Sequence, residues 1–159
     1  MSIATSGSFL VADDPIQIRC LASDLAQRRV DRRSIFSCVT EIVLDNDHLT
    51  MHAVWSHRDD FTLVTDHIRT TYPDAKIFAT YTSEIDPYSA SCQQFGGGIE
   101  AREGEMTARC TECAATGDGQ LAHRADCSAQ QLDVNNGEYP EIEWVPSFEI
   151  DPALARLLP

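Results

Sequence analysis

Residues 48–72, HLTMHAVWSHRDDFTLVTDHIRTTY, decide the fold because their apolar pattern changes period within the stretch. The first part alternates, with Leu49, Met51 and Ala53 on the inward side, which is typical of a half-buried strand that ends at Trp55. From residue 61 the apolar positions recur at helical spacing, and Pro73 ends the pattern. That helical face consists of Phe61, Val64, Ile68 and Tyr72. A strand followed by an amphipathic helix predicts an α+β unit in which the helix packs against a sheet.

Outward from this stretch, the sequence predicts further strands at residues 8–12, 35–44 and 76–83 and a helix from Pro15 to about Val30. The helix start is typical, because the Asp14 carboxylate can cap free N–H groups and a proline then occupies the first helical position. The resulting order, β-α-β-β-α-β, is that of the split βαβ, or ferredoxin-like, motif. We therefore predict an α+β fold with a ferredoxin-like core. Its antiparallel sheet would carry both helices on one face and leave the other face open or covered by the C-terminal segment.

The rest of the chain is predicted to extend this core. A hairpin formed by residues 95–102 and 106–109, turning at Glu103-Gly104-Glu105, would lead into a cysteine-rich loop. Three successive glycines at 96–98 favour a bulge in its first strand, or a cradle for an anion. The predicted organisation is a ferredoxin-like α+β domain at residues 8–109, a zinc-binding loop at 110–127 and an acidic C-terminal extension at 128–159 that packs on the core and ends in a short helix at 153–158.

The spacing C-x2-C-x9-H-x3-C, formed by Cys110, Cys113, His123 and Cys127, is typical of a small structural zinc site. The C-x2-C pair places two thiolates on one tight turn, and His123 and Cys127 are separated by about one helical turn. Four protein ligands close a tetrahedral site and leave no position for a substrate. Zinc bound there contributes roughly 10–16 kcal/mol of apparent binding energy at neutral pH. The alternatives are reduced cysteines with no ligand role and a redox-active CxxC pair.

Composition predicts a protein inside a cell, in the cytoplasm. No apolar run approaches the roughly 20 residues that span a membrane, and residues 1–7 lack the basic and apolar segments of a signal peptide. Cys20, Cys38 and Cys92 are scattered along the chain, which favours free thiols in a reducing compartment over a disulfide framework. Cys20 and Cys38 lie in stretches that are expected to be buried.

The formal net charge is −13, and it is concentrated in the second half of the chain. Residues 1–83 carry 11 acidic and 8 basic side chains, whereas residues 84–159 carry 14 acidic and 4 basic ones. This balance disfavours direct nucleic-acid binding. Carboxylates on a rigid surface can imitate DNA phosphates and occupy the basic groove of a protein partner; the alternative is a solvated acidic surface. The predicted partner-binding residues are Glu100, Glu103, Glu105, Glu138, Glu141 and Glu143.

Two other groups of residues allow different functions. Arg28, Arg29, Arg32 and Arg33 follow the first predicted helix, where cations favour the helix dipole; together with the zinc loop they would form a nucleic-acid-binding module. His48 and His52 share one side of a strand, with Asp47 and His57 nearby, and would hold a second metal in a metalloenzyme. The alternatives without a function are a solvated helix end for the arginines and a solvated strand face for the histidines. The chain has no nucleophile motif of the G-x-S-x-G type, so we predict that it is not an enzyme.

Residues 49–105 combine a strand ending in Trp55, a helix closing on Tyr72-Pro73-Asp74, a strand at 77–81, Phe95-Gly96-Gly97-Gly98 and a hairpin at Gly104. This outline resembles the ferredoxin-like domain of the YubB-like proteins of plasmids and phages. Where that family usually has prolines after the tryptophan, this chain has Ser56-His57-Arg58. The resemblance implies the fold and a mobile-element origin, and no activity. We predict a non-enzymatic interaction protein with an acidic binding face, an inhibitor of a host nucleic-acid-handling or defence complex.

Overall fold

A computed structural model describes residues 5–55, 58–83, 90–117, 123–131 and 141–158. Within these residues the strands are β1 (Thr5–Ala12), β2 (Val39–Leu44), β3 (His48–Trp55), β4 (Lys76–Ser83), β5 (Ala90–Phe95), β6 (Arg102–Cys110), β7 (Thr116–Gly117) and β8 (Ile142–Pro146). The α-helices are α1 (Pro15–Arg28), α2 (Arg58–Thr71) and α3 (Pro152–Ala155), and short 3-10 helices lie at Ile35–Cys38 and Ser128–Gln131. None of the helices in these ranges has the length and apolar character needed to cross a membrane.

The strands form one sheet in the order β2-β3-β1-β4-β5-β6-β7, and β8 also pairs with β6. Each pairing is antiparallel. Because β1 and β2 both run antiparallel to β3, they are parallel to each other with β3 between them, and α1 connects them. The predicted α+β class and the antiparallel sheet are confirmed.

The start of α1 follows the predicted cap. The Asp14 Oδ1 atom accepts hydrogen bonds from the N–H groups of Ile16 (2.9 Å) and Gln17 (3.1 Å), and Pro15 is the first helical residue. These bonds satisfy N–H groups that have no partner inside the helix. The cap sets the direction in which α1 leaves β1, and the helix then lies across the sheet.

Helices α1 and α2 pack on the same face of the sheet and form the larger core. Its buried members include Ile18, Leu21 and Leu25 from α1, Phe61, Val64 and Ile68 from α2, and Phe9, Val11, Leu49, Met51, Ile77 and Ala79 from the strands. The ring centroid of Phe61 lies 4.5 Å from that of Phe9 and 5.0 Å from that of Tyr81. A Cβ atom at Gly7 would run into the Phe61 ring, so β1 requires glycine there.

The predicted strand at 35–44 is shorter than expected, because Ile35–Cys38 forms a 3-10 helix. The hydroxyl of Ser34 accepts a hydrogen bond from the N–H of Phe36 (3.2 Å) and starts this turn. The turn places the Phe36 ring in the core, 5.2 Å from the ring of His67. β-Branched and aromatic residues suggested a strand, but burial of Phe36 decides the conformation. Cys20, expected to be buried, is exposed on α1.

The predicted hairpin turn at Glu103-Gly104-Glu105 is wrong, since these residues lie within β6. The chain reverses at Gly96, Gly97 and Gly98 instead, where φ is 85°, 59° and 79°. Such positive φ angles are strained for other residues, so the three glycines mark the turn itself. Residues 90–95, which lead into the first predicted hairpin strand at 95–102, form β5, and Gly104 accommodates the Ser147 side chain that lies over it.

The C-terminal residues cover part of the second face of the sheet. Leu154 of α3 is fully buried among Leu10, Phe78 and Met106. The Asp151 carboxylate caps α3 by accepting from the N–H of Ala153 (3.0 Å). This helix is a single turn, shorter than the predicted span of 153–158.

Two polar contacts position this segment. The buried Gln94 accepts from the N–H of Asp151 (2.8 Å) and donates to the carbonyl oxygen of Glu100 (3.0 Å). The guanidinium of Arg156 donates to the carboxylate of Asp47 (2.9 Å), in the turn between β2 and β3. The end of the described chain is therefore held at both the β5–β6 and the β2–β3 side of the sheet.

The Asp47 contact predicts an acid-sensitive component of stability. Hydrogen bonds from His48 and then Arg156 lower the pKa of Asp47 from 3.8 to about 2. A depressed pKa stabilises the folded state above the unfolded pKa, and this stabilisation is lost as the pH falls through the folded value. We expect Asp47→Asn to lower the urea midpoint at pH 7 and to have a progressively smaller effect as the pH falls from about 4 to below about 2, where Asp47 becomes protonated in both states. The exposed Glu41→Gln is the control, and equal pH profiles for the two variants would contradict the expectation.

Candidate metal centre

The first half of the cysteine cluster is a tight turn at the end of β6. The N–H of Cys110 donates to the carbonyl of Ala115 (2.9 Å), and the N–H of Ala114 donates to the carbonyl of Cys110 (3.0 Å). Ala114 has φ of 61°, a left-handed conformation that closes the turn. Cys110 and Cys113 are therefore held at opposite ends of one rigid turn with both sulfur atoms facing the same point.

The second half is contributed by His123 and Cys127. The N–H of Cys127 donates to the carbonyl of Arg124 (3.0 Å), forming a turn that brings the sulfur atom back to 3.7 Å from His123 Nδ1. A 3-10 helix, Ser128–Gln131, follows at once. This turn, rather than a longer helix, produces the predicted pairing of the two residues.

The four ligand atoms converge. They all lie within 4.8 Å of one another. Cys110 Sγ and Cys127 Sγ are 3.7 Å apart, and Cys113 Sγ is 3.4 Å from His123 Nδ1. Metal–sulfur and metal–nitrogen bonds of about 2.3 and 2.05 Å at tetrahedral angles require edges of about 3.8 and 3.6 Å. The cluster thus fits one tetrahedral metal ion, and no disulfide competes because all six cysteines are free.

The surroundings of the cluster are apolar on the inner side. Cys110 and Cys127 are buried beside Ala108, and Ile142 and Trp144 of β8 pack against them. Cys113 and His123 are half-buried. The main chain of Thr111 also donates to the carbonyl of Glu141 (3.2 Å). The site therefore joins the end of β6, the 123–131 segment and the residues that lead into β8.

A carboxylate that the sequence analysis did not assign lies against the cluster. Glu112 Oε2 accepts from Ser128 N–H (2.8 Å) and Ser128 Oγ (2.6 Å) and lies 3.1 Å from Cys127 Sγ. These contacts tie the first half of the site to the second without any metal. The hydrogen bonds from Ser128 and Cys127 lower the pKa of Glu112.

The thiols of the cluster differ in acidity. N–H groups, first that of Arg124, lower the pKa of Cys113 to about 6. Burial, followed by the bond to Glu112, raises the pKa of Cys127 to about 12. The surroundings therefore favour the thiolate at Cys113 and the thiol at Cys127, and because metal binds the thiolate, binding at Cys127 releases a proton.

The predicted acidic residues fall into separate groups. Met106, Ala108 and Cys110 face the C-terminal extension, so the alternating Glu103 and Glu105 lie exposed on the opposite face of β6. Glu143 of β8 is paired with Arg109 on that same face, and its carboxylate accepts from the guanidinium at 2.6 Å.

The remaining predicted acidic residues lie apart from that face. Glu100 lies in the β5–β6 turn and binds Arg102 at 2.8 Å. Glu141 is exposed just before β8. Glu138 lies outside the described residues. The structure therefore brings Glu103, Glu105 and Glu143 onto one side of the sheet, whereas Glu100 lies in the β5–β6 turn and Glu141 just before β8.

The histidines of the alternative metal site each have a separate polar contact. His48 Nδ1 lies 3.0 Å from Asp47 and His52 Nδ1 lies 2.6 Å from Ser8 Oγ. Four residue steps along β3 place the Cα atoms of these histidines about 13 Å apart. Among the described residues, the Cys/His cluster is the one group of three or more side chains placed to hold a metal. His57 lies outside these residues.

The predicted arginine cluster is also divided. Arg28 binds Asp24 at 2.8 Å and stacks over the Phe36 ring at 5.6 Å. Arg29 is the C-cap residue of α1 and is half-buried. Arg32 and Arg33 are exposed in the following turn. Of the four, Arg28 is thus engaged in an ion pair and a ring contact, and Arg32 and Arg33 are exposed beyond the helix end.

Comparison with known proteins does not assign the chain to a family. No protein-family model, curated protein or solved structure matches the chain. The resemblance to YubB-like proteins stays a prediction, and the interpretation of the site depends on its own geometry.

Glu112 provides a test of that geometry. We expect Glu112→Ala to weaken metal binding about tenfold, because loss of the Ser128 bonds that join the two halves of the site, at the 10–100-fold typical of residues that position ligands, outweighs the easier deprotonation of Cys127. Cobalt(II) titration followed by its absorption bands would report both affinity and stoichiometry, and the stoichiometry should not change. Glu141→Ala removes a nearby carboxylate that does not contact the ligands and serves as the control. Equal affinities for both variants would show that Glu112 has no positioning role.

Proposed function

We propose that the Cys3His cluster binds zinc in a structural role and that the protein is a non-enzymatic interaction module with an acidic binding face. The observation that carries this proposal is the convergence of four ligand atoms within 4.8 Å. Three sulfur atoms and one imidazole nitrogen at tetrahedral spacing favour zinc over the hard cations, which prefer oxygen ligands. A site with four protein ligands has no open position for a substrate, so its role is to hold the chain together.

A structural role also agrees with what the site connects. The described segments that carry the ligands are short turns, held by one small apolar cluster around Cys110 and Cys127 and by a few backbone hydrogen bonds. A metal would add bonds between β6, the 123–131 segment and the residues packed against β8. In such small modules the free energy of metal binding is largely free energy of folding.

A ferredoxin-like core is part of the proposal. Its support is the strand order β2-β3-β1-β4 with antiparallel neighbours, together with α1 and α2 on one face of the sheet. This arrangement agrees with the split βαβ motif predicted from the element order. Activity does not follow from such a fold, because one fold serves many functions.

The acidic binding face is formed by Glu103, Glu105 and Glu143. The first two are two residues apart on one strand, which places their Cα atoms about 7 Å apart. None of the β6 residues belongs to the buried cluster beneath α1 and α2 in the described part of the chain. Because the chain also has a formal net charge of −13, such a face favours a partner with a basic surface. The mobile-element resemblance favours a partner in a host nucleic-acid-handling or defence complex.

The zinc content of the purified protein tests the proposed metal site. Protein purified without chelator should contain about one zinc per chain by elemental analysis, and Cys113→Ser should contain none. Removing the metal with a chelator should lower the melting temperature, because the ligand-bearing turns lose their cross-link. Cys20→Ser, an exposed cysteine outside the cluster, is the control and should retain zinc. Wild-type protein without metal, or with a metal other than zinc, would overturn the assignment.

Competition with DNA tests the proposed acidic binding face. Proteins from the organism that encodes the chain are retained on double-stranded DNA, challenged with the wild-type protein, and any released protein is purified. Its affinity for the triple variant Glu103→Gln, Glu105→Gln, Glu143→Gln should fall about tenfold, because rim and surface charges steer such complexes. The loss should shrink at high salt.

A matched variant distinguishes a local face from overall charge. Glu41→Gln, Asp66→Asn and Glu149→Gln change the net charge equally at exposed positions elsewhere and should leave the affinity near that of the wild type. No release from DNA, or the same loss in both triple variants, would overturn the acidic-face proposal. A mobility shift of DNA by the protein itself at low salt would favour the arginine alternative instead.

A further inference from the structure

We propose that the second face of the sheet binds a small uncharged molecule that has an aromatic or alicyclic body and a hydroxyl or carbonyl head. The site lies between strands β1, β3 and β4 and the C-terminal extension, on the side away from α1 and α2. It is separate from the metal cluster and from the acidic face, and the proposal does not depend on either.

Two adjoining cavities form this site. One has a volume of about 420 Å³ and is lined by residues of β1, β3 and β4. The other, about 300 Å³, lies between β4, β5, β6 and the C-terminal residues. Both cavities are bordered by Thr80, Thr82 and Trp144, so they are continuous along the sheet. Ligand sites commonly have volumes of roughly 300–1,000 Å³.

The two ends differ in chemistry. The smaller cavity is apolar, and its walls include the buried Phe78 and Met106 and the partly buried Ile150 and Leu158. The larger one has a polar wall, where Ser8 Oγ lies 2.6 Å from His52 Nδ1 and the hydroxyls of Thr80 and Thr82 lie nearby. Hydroxyl groups both donate and accept hydrogen bonds, so this wall suits a hydroxyl or carbonyl head.

The described walls of the two cavities disfavour an ionic ligand. No Asp, Glu, Lys or Arg from the described residues lines either cavity, although such residues make up 23% of the chain. A carboxylate, phosphate or ammonium group would give up part of its hydration there without gaining a partner of opposite charge on the described walls. The preference for a neutral head follows from this absence within the described walls.

Size sets the body of the ligand. A dry cavity of about 150 Å³ admits one benzene ring, so the apolar end is suited to a body of about two fused rings. Trp144 lies at the junction of the cavities, where its indole can contact an aromatic ring in an offset or edge arrangement. The ligand is therefore expected to place its rings beside Trp144 and its head group towards Ser8.

Three probes with one aromatic body test this assignment. They are 2-naphthol, naphthalene and naphthalene-2-sulfonate, each titrated into the full chain as purified while protein NMR shifts are followed. We expect 2-naphthol to bind with a Kd of roughly 0.1–1 mM, the range for a fragment of this size. Signals of Ser8, His52 and Trp144 should shift most, and naphthalene-2-sulfonate should bind at least about tenfold more weakly. Absence of 2-naphthol binding, or equal binding of the sulfonate, would overturn the proposal.

Variants separate the two ends of the site. Ser8→Ala should weaken 2-naphthol about fivefold, which is the effect of one neutral hydrogen bond, and should leave naphthalene unchanged. Thr80→Val is nearly isosteric and provides a second test of the polar wall if Ser8→Ala alters folding. Ala90→Leu fills the apolar end and should abolish binding of both probes. Ser91→Ala, on the opposite face of the sheet, is the control; unchanged binding in all three site variants would refute the location.

Discussion

The central strand β1 is paired on both sides along its whole length, with β3 on one side and β4 on the other. Its side chains alternate between two cores: Phe9 and Val11 enter the helical core, while Leu10 and Ala12 face the C-terminal extension. A shift of one residue in this register would exchange the two sets. Both layers of the molecule therefore depend on the pairing of one strand, and Gly7 lets the Phe61 ring pack closely on it.

Strand β6 has a comparable role for the rest of the chain. It pairs with β5 near its start and with β7 and β8 near its end, where Cys110 begins the metal centre. Its inner face contacts the C-terminal extension and its outer face carries Glu103 and Glu105. Trp144 of β8 contacts both the cluster beneath the extension and the one around Cys110 and Cys127. The proposed metal site, acidic face and ligand groove are thus three surfaces around one strand, and Trp144 joins two of them.

Much of the fold could be predicted from local patterns, because the relevant forces act within a few residues. The alternation of β3, the apolar face of α2 and the Asp14-Pro15 helix start all specify their elements locally. The cluster of Cys110, Cys113, His123 and Cys127 was predictable for the same reason, since ligand spacing sets ligand geometry.

The remaining features depend on contacts between distant residues. Phe36 leaves the predicted strand to enter the core, and Gly104 stays within a strand because Ser147 lies over it. The role of Glu112 depends on Ser128, and the groove beside Trp144 needs the register of several strands. Neither can be derived from the spacing of residues along one segment, because partners from two or more segments define them.

The order in which the two faces of the sheet are covered has a consequence for synthesis of the protein. Apart from Phe95 of β5, the buried residues of the helical core all lie within residues 5–83, so most of this layer can assemble while later residues are still on the ribosome. Leu10 and Phe78 then have no cover until α3, with Leu154, has been made. The nascent chain therefore carries an open apolar sheet face until these residues have been made, and association with other chains competes with folding during that time.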